Sequence, residues 1–140
     1  MRLSLGQRFA LTVTGALTGT ALILFAHGAR DPQWAEPMRR VRAAIGQRAP
    51  GMRVELAFLE FMQPDLRTCA ESLVAERCER IIVVPMFIAR GGHLNRDLPR
   101  LVAELQQANP RIRFELAGAI GEADVVVQAM AGHALALVDH

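Results

Sequence analysis

His27 and His93 each stand just past an apolar, β-like run and beside a glycine, in ALILFAHGARDP and RIIVVPMFIARGGH. A side chain at the end of a strand in an open parallel sheet lies on the rim where ligands bind, next to the point where strand order reverses. Imidazole is the commonest neutral protein ligand for a transition metal and also carries a proton near neutral pH. Two imidazoles at matched positions therefore point to chemistry that handles a metal ion, a proton, or both. Glu60 ends a second apolar run, VELAFLE, and so belongs to the same rim. A carboxylate there can accept protons or orient an imidazole; taken alone, it reads as a solvated residue before a turn.

Positioning those residues requires an alternation of strand and helix, and the chain supplies it. ALILFA is a short, wholly apolar run, as expected of a parallel strand covered on both faces. Asp31-Pro32 predicts a helix start, and Trp34, Met38, Val41 and Ile45 follow at helical spacing, with Gly46 and Pro50-Gly51 ending the helix. Val54 to Leu59 predicts the second strand, with Val54, Leu56 and Phe58 on one face. Pro64 opens a second helix with Leu66, Cys69, Leu73 and Val74 inward. Ile81 to Ile88 is a β-branched central strand with Pro85 near its end. Asn95 is placed to cap a third helix burying Leu98, Leu101, Val102 and Leu105, which Asn109-Pro110 closes. Ile112 to Ala117 gives a fourth strand. Val125 to Val138 gives a final helix with Val126, Met130, His133 and Leu137 on its inward stripe, so that His133 reads as a partly buried structural histidine. The terminal His140 reads as frayed. The expectation is a single doubly wound α/β domain with a four-stranded parallel sheet. In the common strand order 2-1-3-4 the first and third strands are neighbours, which directs His27 and His93 to one crevice.

Composition narrows the function. The 140 residues suit one domain, with half of them apolar and 21% charged. The chain has no lysine, so its 16 basic residues are all arginine, and the net charge is only +2. That balance gives no basic surface for nucleic acid, whereas arginine's planar fork suits carboxylates. Without lysine there is no Walker phosphate loop, and no G-x-G-x-x-G follows the first strand. No G-x-S-x-G is present, which disfavours hydrolase triads. Cys69 and Cys78 on one helix would be ~13 Å apart along its axis, too far for a disulfide, and read as small core residues in a reducing compartment. Residues 1–20 form an N-terminal extension ahead of a domain at 21–140. Arg2 and Arg8 precede an uncharged stretch that resembles a secretory signal, but residues 21–26 belong to the first strand. The expectation is a dispensable extension or an early start on a cytoplasmic protein without a membrane partner, with export the alternative.

The motifs AHGARDP, VELAFLEF and VVPMFIARGGHLNRDLP occur in this order over roughly residues 21–138. Together they resemble the small CbiX/SirB sirohydrochlorin chelatases, the class II metal chelatases. Ala29 stands where the family often has serine, and Asn95 where a basic residue is common. The resemblance implies that His27 and His93 are the metal-binding and catalytic histidines and that Glu60 assists them. It implies insertion of a divalent metal into a tetrapyrrole, in cobalamin or sirohaem synthesis, with cobalt foremost and iron or nickel as the other choices. The metal (Co2+, Fe2+ or Ni2+) is then a substrate, and no organic cofactor takes part. The many carboxylates of sirohydrochlorin would meet Arg30, Arg90 and Arg96, and Gly91 and Gly92 would let the backbone approach it. Longer family members contain two such halves in one chain, so a lone half implies a homodimer. The competing reading is a non-catalytic metal-binding or metal-delivery protein of the same fold.

Overall fold

The computed structural model describes residues 19–89 and 91–139. Four parallel strands form its centre: β1 (Thr20–Ala26), β2 (Arg53–Phe58), β3 (Arg80–Pro85) and β4 (Arg113–Leu116), in the order β2-β1-β3-β4. The first and third strands are therefore neighbours, as in the expected order 2-1-3-4, and the order reverses between them.

The helices are α1 (Glu36–Arg48), α2 (Leu66–Ala75), α3 (Leu94–Ala108) and α4 (Asp124–Ala136). Each strand side chain alternates between two faces, and each face has its own apolar cluster. On one face Ile23, Phe25, Ile81 and Val83 are buried with Leu66 and Leu73 of α2 and Leu98 and Leu105 of α3. On the other, Leu24, Val54, Leu56 and Phe58 pack with Met38, Val41 and Ile45 of α1.

Local chemistry explains most boundaries and corrects several. Asp31 does cap a helical start, accepting the Gln33 N–H at 2.9 Å, but Pro32–Ala35 is a 3-10 turn, and the α-helix begins only at Glu36. That turn leaves Trp34 on the exposed side. Asp65, rather than Pro64, caps α2 by accepting the Thr68 N–H at 2.8 Å, and this bond holds its carboxyl below the usual range. β2 stops at Phe58 and β3 at Pro85, so Leu59, Phe87 and Ile88 belong to the turns beyond. Asn95 is already inside α3, and His93 occupies the N-cap position. Both cysteines are free; Cys69 is buried in α2, and Cys78 follows the end of that helix.

The final helix departs most from expectation. No residue of α4 is buried, and it packs principally on the flanking 3-10 turns at Ile120–Glu122 and Leu137–Asp139. Val126 alone of the expected inward stripe is half-buried; Met130, His133 and Leu137 are exposed. The Ile120–Glu122 turn is held to the β3 exit, where the Gly121 N–H donates to the Phe87 carbonyl at 2.9 Å. From there α4 is led away from the sheet. Residues 1–18 and His140 lie outside the described residues, so the expectations placed on them have no structural counterpart. No helix among the described residues is long and apolar enough to cross a membrane.

Candidate functional site

The candidate residues follow the C-terminal edge of the sheet. His27 follows β1 directly and is exposed. Its backbone is fixed from both sides. The Glu60 N–H donates to the His27 carbonyl at 3.0 Å, and the Leu59 N–H to the Ala26 carbonyl at 2.9 Å, extending the β1–β2 ladder past the strand ends. On the other side the Met86 N–H donates to the Phe25 carbonyl at 2.7 Å. Gly28 then turns with φ +85°, and a β-carbon there would run into the Glu60 carbonyl. Only glycine combines that dihedral with so close an approach, which explains the glycine that accompanies His27.

The imidazole of His27 rests on the ring of Phe87, with centroids 4.5 Å apart and planes 44° from parallel. Phe87 is buried and meets Phe25 edge-on at 5.9 Å. One face of the imidazole is thus backed by the core, while the residue as a whole faces solvent.

Glu60 sits in the bend after β2, exposed, with its main chain tied to His27. His93 is also exposed; its backbone is helical (φ −66°, ψ −29°), its carbonyl accepts from the Asp97 N–H at 2.8 Å, and its side chain makes no cap bond. The histidine is therefore not spent on closing the helix. Gly92 before it has φ +55°, and Gly91 and Gly92 face open space. Arg96 is exposed in the first turn of α3. Arg30 is exposed, its guanidinium carbon 5.1 Å from the centre of the Phe61 ring. Arg90 lies outside the described residues.

The structure thus puts His27, Glu60 and His93 beyond the ends of β1, β2 and β3, three adjacent strands. Among the described residues no three His, Cys, Asp or Glu side chains gather closely enough to hold a metal ion. A rim of this kind can present single imidazoles to a metal but does not enclose one, and its open positions remain free for other donors. Exposed apolar side chains belong to the same edge: Leu59 and Phe61 after β2, and Ile88, 74% exposed, after β3. Phe61 and Phe87 escape sequence reasoning, because an aromatic in an apolar stretch reads as core.

The profile of the CbiX family matches residues 21–134. A sirohydrochlorin cobaltochelatase from Methanococcus aeolicus is 33% identical over 86 residues, which cover 61% of this chain and 60% of that protein's length. One from Saccharolobus solfataricus is 32% identical over 98 residues, 70% of this chain and 73% of the relative. Among solved structures, the CbiX protein from Marinobacter aquaeolei VT8 superposes with a TM-score of 0.74 at 25% identity, over 86% of this chain and 98% of that one. The sirohydrochlorin chelatase SirB from Bacillus subtilis subspecies spizizenii, in complex with cobalt, gives 0.66 at 25% identity over 79% of this chain and 47% of its own. The match runs from the start of β1 into α4 and so takes in the whole sheet with its histidine-bearing edge. The chain belongs to the CbiX family.

Proposed function

We propose that this protein is a sirohydrochlorin metal chelatase that inserts a divalent metal into the macrocycle, with cobalt the first choice and iron or nickel the others. The observation that carries this reading is the pair of exposed histidines at the exits of the adjacent strands β1 and β3. His27 and His93 would hold the incoming metal through neutral imidazole, leaving positions for the pyrrole nitrogens. Insertion forms four metal–nitrogen bonds and breaks two N–H bonds, so two protons must leave. Glu60, exposed and tied to His27 through the main chain, suits the first acceptor, and water takes the protons onward. A set of thiolates would hold a soft metal too firmly for release, and both cysteines lie off this edge, in and after α2. Arg30 and Arg96, with Arg90 from the same motif, would meet the substrate's carboxylates, and Gly91 and Gly92 would let it approach the backbone.

The test is spectroscopic. Purified protein is mixed with sirohydrochlorin and Co2+, Fe2+ or Ni2+ in turn, and the absorbance change on metallation is followed. A rate above the protein-free reaction supports the reading; metal binding without any acceleration points to a delivery protein instead.

We also propose a homodimer. An open rim offers one wall for a flat macrocycle, and α4 with the 3-10 turn after it leaves Val125, Leu135 and Val138 between 69% and 77% exposed. Beside its base lies an open hollow of about 340 Å³ over the end of β3, lined by Val84, Ala117, Ala119 and Ile120, on the face where α1 covers β1 and β2. The apolar helix of a second copy would lie against that hollow, with Glu122 at its edge, and twofold symmetry would satisfy both copies at once.

A further inference from the structure

We propose that Phe61 is a substrate-facing residue that stacks on the tetrapyrrole and, with Arg30, selects for a flat ligand bearing peripheral carboxylates. This rests on the chelatase reading above. Phe61 has φ +66°, the left-handed region that a bulky L-residue rarely occupies. Strain of this kind persists where the surroundings impose it, and it clusters at ligand sites. Here the imposing contacts are visible: the preceding residue, Glu60, is held to His27 through its N–H and packs its carbonyl against Gly28. The twist does not bury the ring. Phe61 remains 59% exposed, although burial would be the ordinary return for a phenylalanine at this cost.

Arg30 supplies the second observation. Its guanidinium lies over the Phe61 ring at 5.1 Å, a cation–π contact. A cation–π contact spends none of the guanidinium's N–H groups, which leaves its fork ready for a carboxylate in a two-point bond. A planar macrocycle laid against the exposed part of Phe61 would bring its rim carboxylates towards Arg30. Ring and fork thus form one recognition unit, fixed to the same backbone knot as His27 and Glu60.

The experiment uses the full chain, with metal-free sirohydrochlorin and Co2+ as separate probes. Phe61→Leu keeps apolar bulk and removes the flat face; Phe61→Tyr keeps the face. The expected result is roughly five- to tenfold weaker sirohydrochlorin binding in Phe61→Leu, seen also as a raised KM, with recovery in Phe61→Tyr. Affinity for Co2+ alone and the thermal midpoint should stay at the wild-type value. If wild-type protein binds and metallates sirohydrochlorin and Phe61→Leu matches it in both, the role of Phe61 is overturned while the chelatase reading stands. If wild-type protein neither binds nor metallates it, the chelatase reading falls and this inference falls with it. A Phe61→Leu protein that melts early or loses Co2+ would make Phe61 a structural residue, which also overturns the proposal.

Discussion

Phe87 and His27 form a tilted ring pair, 4.5 Å between ring centres, that joins the apolar core to the rim. Phe87 also accepts the Gly121 N–H on its carbonyl and touches Phe25 with its ring edge. The imidazole is therefore oriented by a residue from the neighbouring strand's exit. Phe87→Leu should keep an apolar side chain in place, at a cost of about 1–2 kcal/mol, yet leave the imidazole freer to rotate. Metal insertion should fall several-fold, with kcat affected more than KM. Steady-state kinetics beside a thermal melt separates the two effects.

His27→Ala and His93→Ala should each reduce metal insertion by at least a hundredfold, because each removes one of two proposed ligands. Both residues are exposed, so stability should change by about 1 kcal/mol or less. Glu60→Gln should retain metal binding and slow insertion, since it deletes a base and keeps the shape. Isothermal titration with Co2+ and the absorbance assay together check all three. Wild-type rates in either histidine variant would show that the rim is not the metal site.

Gly28→Ala should be among the most damaging single-methyl changes in the protein. The new β-carbon meets the Glu60 carbonyl, and φ +85° adds strain of about 1–3 kcal/mol. Gly92→Ala has a positive φ but open space, so it should cost less. Chemical denaturation of the two variants side by side tests the ordering.

Val125→Glu with Leu135→Glu places two charges on α4 where the native residues are 76% and 69% exposed. In a lone chain those substitutions should be nearly neutral. If a second copy covers the helix, sedimentation should show a dimer in the wild type and a monomer in the double variant, with the melting curve now independent of concentration.

Cys69 should resist alkylation until the protein unfolds. Burial raises its thiol to about 11, so very little thiolate exists at neutral pH. Cys78 is only half-buried and should react first. Mass spectrometry of timed iodoacetamide reactions gives the order.

Sequence patterning exposes the central architecture because parallel strands covered on both faces must be apolar throughout, and Ala21–Ala26 and Ile81–Pro85 are runs of that kind. It also brings His27, Glu60 and His93 to one edge, since each follows such a run. It does not reveal Phe61 or Phe87 as part of that edge. Their roles depend on a left-handed dihedral and on a ring contact between loops distant in sequence, neither of which has a local signature. The helix at Asp124–Ala136 shows the converse difficulty. Apolar residues occur on all its sides, so an inward stripe can be drawn through Met130 and His133 although neither is buried. The start of α3 is similar: Asn95 is a good capping residue, but the turn at Gly92 begins the helix two residues earlier, at Leu94 with His93 in the N-cap position.

The knot between the first two strand exits is made of main chain: the Glu60 amide on the His27 carbonyl, and the Glu60 carbonyl against Gly28. The side chains at 27 and 60 take no part in it. The scaffold is therefore a mount with exchangeable heads, on which donor atoms can be swapped while the loops keep their places. On the chelatase reading proposed above, a change of preferred metal, by natural drift or by design, would need only single substitutions at this rim, without rebuilding the sheet beneath.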